Sequence, residues 1–166
     1  MPTLKELPKS KLEALLQTGE LQLGVGPYTY RIQSNLSQVS EGLAALYADF
    51  PVATPGTFND YNISLRHKGP ISRLRRRVEF MFDNEHPFGV VDTQNAYAFM
   101  EWGMNWCVSV HANEYLKLHA AVVAKEGRAV LMPGVPGAGK STLCAALGLS
   151  GWRVLSDEHA LIPPGT

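Results

Sequence analysis

The sequence predicts an α/β chain in two parts: a small N-terminal α+β domain, residues 1–113, and the opening part of a phosphate-loop domain, residues 114–166. Three observations carry this expectation. Over the first part, short runs of alternating apolar and polar residues, as in half-buried strands, are interrupted by runs at helical spacing. Two apolar runs, residues 118–124 and 129–131, then flank the turn Lys125-Glu126-Gly127-Arg128 and read as a hairpin. The second run leads directly into Gly134-Val135-Pro136-Gly137-Ala138-Gly139-Lys140-Ser141, which fits the pattern Gly-x-x-x-x-Gly-Lys-Ser/Thr and is followed by a helix-forming stretch from Thr142.

Each element has its own local signal. Ser10-Lys11-Leu12-Glu13 has the form of a capping box, opening a helix through Leu12, Leu15 and Leu16 that Gly19 ends. Residues 21–25 alternate, turn at Gly26-Pro27 and resume with Tyr28, Tyr30 and Ile32 on one face, a hairpin. From Ser37, the spacing of Val39, Leu43, Leu46 and Phe50 predicts a helix that runs until Pro51 and the Pro55-Gly56 turn. Residues 62–66 and 77–82 read as two antiparallel strands, bounded by turn residues such as Gly69-Pro70 and Asp83-Asn84. Asp92 is placed to cap a long helix whose stripe Phe99, Trp102, Trp106 and Val110 reads as the main aromatic core. After the phosphate loop the helix ends near residues 148–151, and Trp152-Arg153-Val154-Leu155-Ser156 is a strand running into Asp157-Glu158.

Fifteen basic and fifteen acidic side chains cancel, so no global field favours nucleic acid or an anionic membrane. The aromatic residues follow core periods and do not alternate with charge as in single-strand binders. Arg73, Arg75, Arg76 and Arg77, with Arg66 and Lys68, form one local basic concentration, read as a solvated loop and strand edge. Cys107 and Cys144 lack metal-ligand spacing and suit buried thiols in a reducing compartment. No apolar run approaches the roughly eighteen residues of a membrane span and no secretory signal opens the chain, which leads to the cytoplasm as the expected location. The phosphate-loop part covers only about 50 residues of a module that ordinarily needs well over 100, so a truncated domain is expected, with a sheet edge that calls for a partner or a homo-oligomer.

The chemistry follows from the loop. Glycines let the backbone curl so that successive N–H groups converge on phosphate oxygens, and the next helix adds the positive end of its dipole. Residues Gly134 to Thr142 would then hold a nucleotide polyphosphate, with Lys140 on the outer phosphates and the Ser141 hydroxyl on Mg²⁺. Asp157 lies seventeen residues beyond Lys140, at the end of the next strand. In a parallel sheet that end faces the same edge as the loop, bringing Asp157 and Glu158 near the metal, where a carboxylate can hold Mg²⁺ or accept a proton. Taken without the loop, the acid pair is a solvated strand end. His119, on the strand before the loop, is either a satisfied core histidine or a residue near the phosphates, and His159 carries less weight.

His119 with its strand neighbours, residues 134–142 and the run Arg153-Val154-Leu155-Ser156-Asp157-Glu158 together resemble the catalytic domain of HPr kinase/phosphorylase, and more closely the group of HPr-kinase-related proteins. The resemblance covers residues 117–162 and implies a fold similar to the nucleotide domain of phosphoenolpyruvate carboxykinase. It also implies an active site of His119, Lys140, Ser141, Asp157 and Glu158, with Asp157 as the base for a substrate serine. The sequence departs from that family at Glu158, where the bacterial kinase has Asp, and at Ala120, where it has Gly. The expected activity is Mg-ATP-dependent phosphoryl transfer to a hydroxyl, a serine of a partner protein, with an NTPase switch or a non-catalytic nucleotide-binding module as rivals.

Overall fold

The computed structural model describes residues 1–54, 56–67 and 76–165. The protein is mixed α/β, with four α-helices among the described residues, and divides into two compact units, Met1–Met104 and Asn105–Thr166.

In the first unit, helix α1 (Lys9–Thr18) precedes a hairpin of β1 (Leu21–Val25) and β2 (Tyr28–Ser34), followed by α2 (Ser37–Leu46), β3 (Tyr61–His67), β4 (Arg77–Phe82) and the short β5 (Val91–Asp92). The strands form one sheet in the order β1-β2-β3-β4-β5. β2 and β3 are parallel, with Ile32 opposite Ile63, and α2 lies within the connection that a parallel pair requires. The pairs β1/β2, β3/β4 and β4/β5 are antiparallel. Strand alternation produces one buried face: Tyr28, Tyr30 and Ile32 on β2, and Tyr61, Ile63 and Leu65 on β3, are all buried, while Arg31, Gln33, Asn62 and Ser64 between them are more open.

Three local expectations are corrected here. The capping box is not used: the cap position is Pro8, which stays extended at ψ 145° and has no side-chain cap bond, so Ser10 lies inside α1; Gly19, at φ 70°, does end it. α2 stops at Leu46, which is exposed, and Phe50 leaves the helical stripe to pack on Tyr47 with ring centroids 4.6 Å apart. Asp92 accepts a 3.0 Å bond from the Gln94 N–H and opens a 3₁₀ turn, Thr93–Asn95, that leads into α3 (Ala96–His111).

The aromatic stripe on α3 is a further correction. Its buried residues are Ala96, Phe99, Met100, Met104 and Cys107, whereas Trp102 is 53% exposed and packs over Phe88 at 4.2 Å between centroids. Gly103 explains the rotation. A Cβ there would stand 2.1 Å from Phe80 Cε2, so the helix turns its glycine and methionines inward to admit the fully buried Phe80 from β4. Near the start of α3, Tyr97 and Tyr47 both donate to the Glu101 carboxylate, and burial, aided by that carboxylate, pushes both phenols well above their ordinary range.

The second unit contains β6 (Leu116–Lys125), β7 (Arg128–Pro133), α4 (Lys140–Leu149), β8 (Arg153–Ser156) and β9 (His159–Ile162). β6 and β7 are the expected hairpin, turning on Glu126 and Gly127 with φ of 52° and 74°, as a two-residue loop requires. The sheet is not parallel at any pairing, which corrects the sequence argument for the acid pair. β6 is central and pairs antiparallel with β7, β8 and β9. Because β7 and β8 each oppose β6, they run parallel to one another with β6 between them, so their C-terminal ends still reach one edge. Pro133 lies opposite Ala120, and Ser156 opposite Val122.

The core of this unit is made of small residues. Ala120, Val122 and Ala160 pack with Leu118 in one cluster; Ala121, Val123 and the α4 residue Cys144 pack with Met132, Leu147 and Trp152 in another. Cys107 and Cys144 are both buried. Among the described residues, no helix is long and apolar enough to cross a membrane.

Candidate functional site

The loop between β7 and α4 is built by its glycines. Gly137 and Gly139 have φ of 81° and 85°, the left-handed region that costs a side-chain-bearing residue about 1 kcal/mol or more. A Cβ at either position would meet nothing within 4 Å, so the glycines are required by backbone geometry and not by crowding. The Ala138 N–H donates to the Val135 carbonyl at 3.1 Å, tightening the loop, and the Leu143 N–H closes the first turn of α4 on the Gly139 carbonyl at 2.9 Å. The first helical N–H groups, those of residues 140–142, are the ones an α-helix leaves without intrahelical partners. Residues 134–139 are exposed, as are Ser141 and Thr142 in the first turn. Lys140 folds back over the loop, its ammonium donating to the carbonyls of Gly134 at 2.7 Å and Val135 at 3.3 Å. A cation, a curled backbone and a helix N-terminus thus converge on one point.

The acid pair is held by a second device. The Ser156 hydroxyl accepts the N–H groups of Glu158 at 3.3 Å and His159 at 3.0 Å, a serine turn that fixes the corner between β8 and β9 around Asp157. Asp157 Oδ1 is buried and has no hydrogen-bond partner among the described residues. Its surroundings include α4: burial first, and the Asp157 charge second, push the Cys144 thiol above its usual range. The Cys144 Sγ on α4 also lies 3.9 Å from the carbonyl of Ser156, the residue before Asp157.

These donors fit Mg²⁺. A serine hydroxyl and carboxylates are hard oxygen ligands, and a buried carboxylate oxygen without a hydrogen-bond donor is the group a hard cation would satisfy. Among the described residues no three His, Cys, Asp or Glu side chains gather into a metal cage.

His119 is not a core histidine. It is half exposed at the edge where β7 ends, with Nδ1 3.7 Å from Glu158 Oε2 and its ring 6.4 Å from that of His159, its partner in register on β9. Of the residues chosen from sequence, Lys140 and Ser141 open α4 at the loop, Asp157 lies by Cys144 of the same helix, and His119 with Glu158 forms a flanking cluster. Sequence reasoning gave His159 little weight and passed over Ser109 and Lys117, which complete that cluster. Ser109 Oγ lies 2.9 Å from His159 Nε2, and Lys117 Nζ donates to the Ser109 carbonyl at 2.8 Å. His159 is held below its ordinary pKa, chiefly by burial, against the opposing pull of Glu158. No local motif marks these residues, because a helix, a strand and a second strand bring them together. Of the basic concentration, Arg66 pairs with the buried Glu79 at 3.3 Å, and Lys68, Arg73 and Arg75 lie outside the described residues.

Residues 92–166 match the family described as SynChlorMet cassette protein ScmC. The match takes in the whole of the second unit, including the loop, the acid pair and the Ser109 cluster, but less than half of the chain. It corrects the resemblance to HPr kinase/phosphorylase that His119, the phosphate loop and the acid pair together suggested: ScmC is a different family. No curated protein and no solved structure matches the chain.

Proposed function

We propose that the chain binds a nucleoside triphosphate, ATP, with Mg²⁺ on residues 134–142 and transfers its γ-phosphoryl group to a hydroxyl. The observation that carries the reading is the buried, unpartnered Asp157 oxygen at the sheet edge that also bears the glycine-rich loop. Phosphate oxygens would replace the loop carbonyls as partners of the Lys140 ammonium, and the loop amides would donate to the same oxygens. Mg²⁺, held by Ser141 and Asp157 with Glu158 nearby, would supply charge neutralisation on the outer phosphates. Asp157 is also able to take the proton of an acceptor that brings no base of its own, and His119 orients Glu158.

Hydrolysis is the second reading. Loop residues 134–139 and Glu158 are open to solvent, so water can reach the same phosphorus and the unit can act as an NTPase switch. The fate of a labelled γ-phosphate separates the two. Phosphate recovered on a hydroxyl supports transfer; phosphate recovered only in solution supports hydrolysis; tight binding with no turnover leaves a nucleotide-binding module. In either catalytic case Asp157→Asn should lower turnover by about a hundredfold or more while nucleotide still binds. Turnover unchanged by that substitution would remove Asp157 from the site.

A further inference from the structure

We propose that Ser109 is itself a phosphoryl acceptor, a modification site on this chain. The inference rests on the phosphoryl-transfer reading above and adds the identity of one acceptor. Three observations support it. The Ser109 hydroxyl is exposed, and its oxygen lies 2.9 Å from His159 Nε2, a nitrogen that accepts the hydroxyl proton when the ring carries its own on Nδ1. Lys117 brings an ammonium to the same turn, 2.8 Å from the Ser109 carbonyl, where it can neutralise part of the charge of a phosphate on Oγ. The cluster also lies beside the loop: His159 pairs with His119, and Ala120, the next residue on β6, pairs with Pro133, which immediately precedes Gly134. Two strand spacings, about 10 Å, separate the β7 and β9 backbones there.

The step balances without any further reagent. The bond between the γ-phosphorus and the β,γ-bridging oxygen of ATP breaks, a bond from Ser109 Oγ to that phosphorus forms, ADP leaves, and the hydroxyl proton passes to His159 Nε2. Ser109 lies in the last turn of α3, where the helix dipole opposes a new negative charge, and Lys117 offsets that opposition.

The test is to incubate the full chain with Mg-ATP and map phosphate by peptide mass spectrometry, with calorimetric titration of Mg-ATP run in parallel. The expected result is phosphate on Ser109, lost in Ser109→Ala, moved to the new hydroxyl in Ser109→Thr, and formed at least about tenfold more slowly in His159→Gln. Phosphate on any other residue, or none on a chain that binds Mg-ATP, overturns the Ser109 assignment and leaves the nucleotide reading standing. A wild-type chain that neither binds Mg-ATP nor gains phosphate overturns both. Because the decisive map is made on the wild-type chain, a variant that fails to fold does not affect the outcome.

Discussion

The two units are built on opposite principles. In the first, large side chains such as Tyr30, Phe80, Leu21 and Ile32 are almost wholly removed from water between a five-stranded sheet and its helices. In the second, the buried residues are mostly Ala, Val and Cys, and large apolar side chains remain outside: Leu155 is 49% exposed and Leu149 91%. Burial stabilises by about 25 cal/mol per Å² of apolar surface, so small residues contribute less per position. The ionisable groups with unusual surroundings in the second unit, Asp157, Cys144 and His159, gather at one sheet edge. The first unit concentrates packing, and the second concentrates polar and charged groups around a loop.

The first test is of the loop. Lys140→Ala should weaken nucleotide binding by at least about a hundredfold, roughly 3 kcal/mol, because a charge-assisted partner of the phosphates is lost. Next comes the packed core: Phe80→Ala should destabilise the first unit by about 3–5 kcal/mol in denaturant unfolding, the range for truncating a buried aromatic residue. Leu149→Ser in the second unit should stay within about 0.5 kcal/mol. If the two substitutions cost the same, the contrast between the units fails.

A smaller effect concerns pH. Folding lowers the His159 pKa below its ordinary 6.5, chiefly by burial, so between the lowered value and 6.5 the unfolded chain binds more protons than the folded one. Stability should therefore be full above that window and fall as pH drops through it, and His159→Gln should flatten this part of the profile in thermal melts. A stability that rises on acidification through the window would reverse the assignment. The smallest effect is on Cys144, buried and with its thiol pKa raised: alkylation of the native chain near pH 8 should be markedly slower than that of the urea-unfolded chain.

Much of this was legible in the sequence where the signal is local. The hairpin through Gly26, the β6–β7 hairpin through Gly127 and the loop from Gly134 to Lys140 each depend on a few neighbouring residues with left-handed or glycine-specific backbone. Features set at long range were less legible. The Phe99–Trp102–Trp106 stripe follows a helical period, but which neighbouring face becomes buried is decided by Phe80 arriving under Gly103 from a distant strand. A parallel sheet would bring the end of β8 to the loop's edge, and the same edge arises instead through two antiparallel pairings on β6. Ser109, Lys117 and His159 belong to no motif, and only the register of β9 on β6 and the placement of α3 bring them together. The family resemblance, drawn from His119, the loop and the acid pair in that order and spacing, did not hold: the family whose model matches residues 92–166 is a different one.

The central claim is that residues 134–142 and Asp157 form a Mg-nucleotide site. Calorimetric titration of Mg-ATP into the wild-type chain and the Lys140→Ala variant tests it most directly. The account predicts saturable binding by the wild type that is lost in the variant; no binding by the wild type, or equal affinity in both, would contradict it.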